Sequence, residues 1–275
     1  MWNDPWLSGP WICGSCEDTK NEGGGQKRKQ SCAKNGRTSM KVKKGRMVYE
    51  GKAKKIYKTE NPDLFIQHFK DDATAFNAKK RGTIVNKGVM NNKISERLFT
   101  LLESEGVPTH FVERLNDRDM LVKKLEIVPI EVVIRNVIAG SMSKRLGIEE
   151  GTKAKKPILE FYYKKDELDD PLVNDDTAVA LGWATAAEVK KIREMATKVN
   201  SVLKKFFDKR GIILVDFKVE FGRHKGKILL GDEICPDTCR LWDKKTMEKM
   251  DKDRFRRDLG KIEEAYQEVC KRVWE

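Results

Sequence analysis

The chain has 275 residues, of which 39% are hydrophobic, and it carries 56 Lys and Arg against 43 Asp and Glu for a formal net charge of +13. The length and hydrophobic share suffice for a core, as one large domain or two small lobes, and exceed what a disordered chain carries. No apolar run approaches the ~20 residues that span a bilayer, and three separated histidines, His68, His110 and His224, argue against a His-based metal centre.

The excess charge is unevenly placed. Residues 1–46 hold ten basic and four acidic side chains, which leaves +7 for the rest of the chain. So mild an excess suits a basic pocket for an anionic metabolite better than a nucleic-acid surface. The first 46 residues show no hydrophobic period and break at Gly23-Gly24-Gly25, so they read as a disordered extension or the product of an early start codon. Cys13-Gly-Ser-Cys16 has the spacing of half a zinc site or of a redox pair, but no second pair follows and Cys32 stands alone, so these thiols read as incidental. Cys235, Cys239 and Cys270 lie far downstream and point to reduced thiols in a cytoplasmic protein.

From residue 47 the pattern becomes regular. Two short strands are expected at 48–51 and 53–59 around Gly51-Lys52-Ala53-Lys54, and a third at 64–69. Ile94, Leu98, Leu101 and Leu102 recur at helical spacing over 91–105, with Gly106 as a stop. Strands rich in β-branched residues follow at 108–114, 120–125 and 130–136. Thr185-Ala-Ala-Glu188 is a capping box that opens a long helix running to Gly211. A hairpin is expected from 212–221 and 227–234, and a last helix from about Lys252. Strands and helices without regular β-α alternation give an α+β fold.

The hairpin carries most of the chemistry. Along Val215–Phe221 the side chains alternate faces, so Asp216, Lys218 and Glu220 share one face and Phe217, Val219 and Phe221 the other. With a loop of odd length, Asp232 lies opposite Glu220. Two opposed carboxylates repel unless a cation sits between them. Oxygen ligands of this kind suit Mg2+ bridging to phosphate oxygens, with Asp216 and Lys218 meeting the substrate. Lysines on the Gly51–Lys54 turn can cover nucleotide phosphates. Arg135, inside a β-branched run just before Ala139-Gly140-Ser141, and Arg240 are candidates for an anion, or for structural salt bridges.

Several long stretches together resemble one family. Leu214-Val-Asp-Phe-Lys-Val-Glu-Phe-Gly222 and Val128-Pro-Ile-Glu-Val-Val-Ile-Arg-Asn-Val-Ile-Ala-Gly-Ser141 look like the two signatures of the SAICAR synthetase family. Glu50-Gly-Lys-Ala-Lys54, Lys70-Asp-Asp-Ala-Thr-Ala-Phe-Asn77, Lys144-Arg-Leu-Gly-Ile-Glu-Glu-Gly151, Asp170-Pro171 and the Gly231–Asp243 stretch extend the likeness over about 49–273. Residues 1–46 have no counterpart in it.

The resemblance implies a ligase of purine biosynthesis. It would join carboxyaminoimidazole ribonucleotide (CAIR) to L-aspartate with ATP going to ADP and phosphate, through an acyl phosphate. It implies two lobes: a kinase-like, β-rich nucleotide lobe at 47–127 and a larger α+β lobe at 128–275 for substrate and metal. By the family pattern Lys52, Ala53 and Lys54 lie over the ATP phosphates, and the 122–125 segment, with Lys123 and Leu125, holds adenine. Glu220 and Asp232 bind Mg2+. Arg135, Ser141 and Arg240 hold the ribonucleotide phosphate, Asp216 and Lys218 work at the imidazole end, and the 72–77 loop with Asp72 lies by the aspartate or metal. The family commonly forms homodimers, and the resemblance gives no nucleic-acid or membrane partner. Cys235 departs from the serine usual there. A small-molecule kinase built on the same nucleotide lobe and an RNA-binding module are the rival classes; the second expects aromatics interleaved with basic residues, whereas Phe217, Val219 and Phe221 face away from the charges.

Overall fold

Eleven of the thirteen strands of the computed structural model fall into two antiparallel sheets that divide the chain almost in sequence order. The structure describes residues 42–75 and 79–275, so Cys13, Cys16 and Cys32, and Asn77 at the end of the 72–77 loop, lie outside the described residues. The first sheet contains β1 (Met47–Glu50), β2 (Lys54–Lys58), β3 (Leu64–Phe69), β6 (Phe111–Arg114) and β7 (Asp119–Lys123), in the order β1-β2-β3-β7-β6. A separate hairpin of β4 (Asp72–Ala75) and β5 (Lys80–Thr83) leads into helix α1 (Lys87–Ser104), which begins a turn before the expected 91.

The second sheet is built on β8 (Glu126–Val137) and β11 (Ile212–His224), its two long central strands. Outside β8 lie β9 (Lys153–Tyr163) and β10 (Leu172–Val173). The other edge of β11 is shared by β12 (Lys227–Gly231), along its second half, and β13 (Cys239–Asp243), along its first. The connection from β12 to β13, residues 232–238, therefore crosses the middle of β11. The helices of this half are α2 (Gly140–Leu146), α3 (Asp175–Ala180) and α4 (Ala186–Asp208), then α5 (Asp253–Arg256) and α6 (Ile262–Trp274). The expected last helix is thus two helices, parted where Asp258, Gly260 and Lys261 take left-handed backbone angles.

Alternation in β8 and β11 decides which face is core. Ile130, Val132 and Ile134 on β8, and Phe217, Val219 and Phe221 on β11, are buried in the main core. Amphipathic α4 covers that face with Val189, Ile192, Met195, Val199, Leu203 and Phe206. Its N-terminus is fixed by the expected capping box: Glu188 N–H donates to Thr185 Oγ1 at 3.2 Å, and Thr185 N–H to Glu188 Oε2 at 2.8 Å. The opposite face, with Glu131, Val133, Arg135, Asp216, Lys218 and Glu220, is left to line a cavity.

The two sheets are tied together by backbone. His110 N–H donates to Leu230 O at 2.8 Å and Leu230 N–H to Pro108 O at 3.0 Å, joining the start of β6 to β12. The described residues belong to one compact unit, and none of their helices is long and apolar enough to cross a membrane.

Beside this join sits His110. Its ring is buried edge-on against Phe99, centroids 5.3 Å apart, and Nε2 has no hydrogen-bond partner. Burial, with Lys54 and Lys123 nearby, pushes its pKa down to about 3. The fold therefore holds a neutral imidazole, while the unfolded chain takes a proton below ~6.5. Stability must then fall as pH drops from 6.5 toward 3, by roughly 2–3 kcal/mol at pH 4.5. His110→Leu is expected to flatten the thermal-melt profile between pH 6.5 and 4.5, whatever it does at pH 7. An unchanged slope would contradict the assignment.

Candidate active site

A cavity of about 590 Å³ gathers the Gly51–Lys54 turn, the polar face of β8 and β11, residues 164–170 and the 232–240 stretch. The turn is short because Gly51 N–H donates to Lys54 O at 2.8 Å, closing four residues between β1 and β2 and pointing their side chains at the cavity.

At one end the register lines up three charges across three strands. Asp216 on β11 pairs directly with Arg135 on β8 and Arg240 on β13. Arg135 Nη1 donates to Asp216 Oδ2 at 2.8 Å, and Arg240 Nη1 to the same oxygen at 2.8 Å. The arginines lean outward on Glu160 (Arg135 Nε, 2.6 Å) and Asp253 (Arg240 Nε, 2.9 Å). Ser141 Oγ accepts from Arg135 Nη2 at 3.2 Å. The structural and the anion-binding readings of these arginines thus both have a basis: they are paired, and they face a cavity. Gly140, at φ 58°, makes room for this end, since a Cβ there would stand 2.3 Å from Arg240 Nη2. Gly140→Ala is expected to push Arg240 off Asp216 and raise KM for the anionic substrate roughly tenfold or more, the loss of one charge-assisted contact. Steady-state kinetics across the substrates would check this, and unchanged constants would refute it.

The middle of the cavity is acidic and lysine-rich. The β11–β12 connection is the two-residue Lys225-Gly226 turn, both at positive φ, and this even length places Gly231, not Asp232, opposite Glu220. The expected Glu220–Asp232 pairing is corrected accordingly. The carboxylate opposite Glu220 is Glu131, across the β8–β11 ladder. Glu131 was legible: it is two pleats from Arg135 on the same face. Like charges so placed repel, and lysines compensate them: Lys218 Nζ lies 2.5 Å from Glu131 and 3.6 Å from Glu220, and Lys164 also pairs with Glu220. Despite burial, Lys218, Lys164 and Lys54 pull the pKa of Glu220 down to about 2, and Glu220 with Glu131 holds the Lys218 pKa well above its usual value.

Asp232 begins the crossing stretch in a left-handed conformation, φ 64°, and pairs with Lys54, whose Nζ is also 2.5 Å from Glu233. Lys52 reaches Asp166 at 2.7 Å. Both lysines expected over phosphates are thus held by carboxylates. Ala53 lines the same cavity. Asp72 does not: it lines a neighbouring cavity of about 650 Å³, paired with Lys70 at 2.6 Å. Lys123 and Leu125 are also outside the main cavity. Lys123 Nζ donates to Thr109 O at 3.0 Å, and Leu125 sits where Gly222 and Gly231 leave it space: a Cβ on either glycine would stand 2.8 or 2.7 Å from it. Cys235 is buried, and its thiol is held well above the usual pKa by desolvation.

No three His, Cys, Asp or Glu side chains converge as a closed metal cage among the described residues. Glu131, Glu220, Asp232 and Glu233 nevertheless line one cavity with hard oxygen donors, and Glu220 stays ionised. That donor set fits a magnesium ion that takes its remaining ligands from phosphate and water.

Comparison with known proteins shows the family. Residues 47–273 match the family model for SAICAR synthetase. The phosphoribosylaminoimidazole-succinocarboxamide synthase of Chlorobaculum tepidum is 63% identical over 229 residues, 83% of this chain and 97% of its own. That of Desulfitobacterium hafniense strain Y51 is 58% identical over 234 residues, 85% and 98% of the two chains. The solved structure of the Ehrlichia chaffeensis enzyme superposes with a TM-score of 0.81 at 50% identity, covering 83% of this chain and 98% of its own. A SAICAR synthetase solved in complex with ADP gives 0.80 at 51% identity, covering 82% and 97%.

Proposed function

The chain belongs to the SAICAR synthetase family, and from that premise we propose the chemistry and the roles of its residues. The family carries out ATP-dependent ligation in purine biosynthesis, on an α+β fold that this chain shares. We infer that the substrates are CAIR and L-aspartate, and that the cavity receives them with the nucleotide. The observation that carries this is the cavity itself, where Lys52 and Lys54, Arg135 and Arg240, and Lys218 with Glu220 line one connected surface.

A carboxylate is a poor electrophile, so the reading includes its activation by ATP as an acyl phosphate before the aspartate amine attacks. Lys52 and Lys54 exchange their carboxylate partners for nucleotide phosphates and neutralise charge that gathers during transfer. The backbone at Ala53 lies over the same phosphates, with adenine along 122–125 beside Lys123 and Leu125. Arg135, Ser141 and Arg240 bind the ribonucleotide phosphate, and Asp216 orients both arginines. Lys218 holds the carboxylate being activated, and Asp72 serves the aspartate side from the neighbouring cavity. Glu220 and Asp232 would hold Mg2+, which supplies charge neutralisation between phosphate oxygens. On this reading residues 47–127 form the nucleotide lobe and 128–275 the substrate and metal lobe of a cytoplasmic homodimer.

The test is ADP release from ATP and Mg2+ with CAIR, with and without L-aspartate. Turnover that needs both substrates is the expected result. ADP release indifferent to aspartate would indicate a kinase instead, and absence of turnover with all substrates present would refute the reading.

A further inference from the structure

The cavity cations can be sorted by what already neutralises them. Lys54 and Lys218 each have a carboxylate within 2.5 Å, Lys52, Arg135 and Arg240 each within 2.9 Å, and Arg256 lies 2.6 Å from Asp253. Lys252 is different. Its nearest carboxylate, Asp237, is 4.0 Å away, and its Nζ makes no hydrogen bond among the described residues. Asp237 is already saturated: Lys87 Nζ lies 2.7 Å from one oxygen, and Tyr266 Oη donates to the other at 2.6 Å. Yet the Lys252 side chain is only 13% exposed and lines the cavity. A buried ammonium whose nearest carboxylate is distant and already held by other donors is costly. Burial, with Arg256 and Lys87 nearby, draws its pKa down.

Position says what the ammonium awaits. Lys252 lies next to Arg256, in electrostatic reach of both Asp237 and Glu233. It therefore stands between the Arg240–Asp253 corner and the Lys54–Glu233 corner, in our reading the phosphate end of the ribonucleotide and the nucleotide end. The amine nucleophile must enter between those ends to meet the activated carboxyl.

We propose that Lys252, with Arg256 beside it, binds a carboxylate of the amino-acid substrate. The inference rests on the ligase reading above and adds the dicarboxylate subsite to it. A single charge-assisted contact predicts a ~10- to 100-fold rise in KM for L-aspartate in Lys252→Met, with KM for ATP and CAIR within about threefold. Inhibition by succinate, a dicarboxylate without the amine, should weaken in parallel, and Lys252→Arg should recover most of the affinity. Lys252→Gln, of similar length, keeps the question open to test if the methionine variant folds poorly. A rise in KM for CAIR alone would place Lys252 at the phosphate and overturn the proposal, as would unchanged aspartate and succinate constants in folded variants. Failure of the unaltered chain to show aspartate-dependent ADP release would instead overturn the ligase reading itself.

Discussion

Lys218→Met is expected to lower kcat by at least ~100-fold, the scale seen when one preorganised electrostatic contact is removed from a reacting centre. The size follows from what surrounds the ammonium. Glu131 and Glu220 are directly opposed across β8 and β11, and Lys218 lies within 3.6 Å of both. Without it, Glu220 retains Lys164 but loses the largest single influence holding its pKa near 2. A substrate carboxylate brought to this wall would then face two carboxylates with diminished compensation. The fold should tolerate the change, since the Lys218 side chain is one-third exposed and a methionine can keep the apolar part of its stem. The thermal midpoint is therefore expected to move by only a few degrees while turnover collapses. Rapid measurement of ADP formation at saturating substrates decides it, and a kcat within threefold of the native value would remove Lys218 from the proposed mechanism.

How far the site could be read in advance depends on periodicity. The face shared by Asp216, Lys218 and Glu220 was legible because strict alternation over Val215–Phe221 needs no long-range information. So was α4, from its capping box and heptad-like apolar positions. What alternation cannot supply is register between strands. One residue in the length of the β11–β12 turn decided whether Asp232 or Gly231 faced Glu220, and the Lys225-Gly226 turn settled on the latter. β9 was missed for a related reason: Lys153, Lys155, Lys156 and Pro157 make its first half look like a loop. Pro157 is tolerated because β10 pairs only with Phe161 and Tyr162, which leaves the outer edge beside the proline unpaired. Lys87 and Asp237 are separated by 150 residues, and nothing local marks either as buried.

That last pair gives the second large effect. Lys87→Met is expected to destabilise the fold by roughly 3–5 kcal/mol, the range for a buried ion pair that loses one partner. In a domain of this size the thermal midpoint should then fall by about 10 °C. The Lys87 side chain is fully buried and that of Asp237 only 3% exposed, so the carboxylate left behind is largely shielded from water. Lys87 and Lys252 are also the two leading influences that hold the Asp237 carboxyl well below its usual pKa against burial. Removing both charges should cost less than removing one, because it leaves no buried carboxylate without its near cation. Lys87→Met with Asp237→Asn is thus expected to recover more than half of the lost stability in urea titrations. Equal or additive losses would show that Lys87 acts through packing alone. The same substitution also probes the cavity. Once Lys87 is gone, Asp237 lacks its nearest cation, and Lys252, 4.0 Å away, is the ammonium that can move to it. Below its melting temperature the single variant should therefore lose affinity for L-aspartate as well as stability, and the double variant, with no carboxylate to capture Lys252, should regain that affinity.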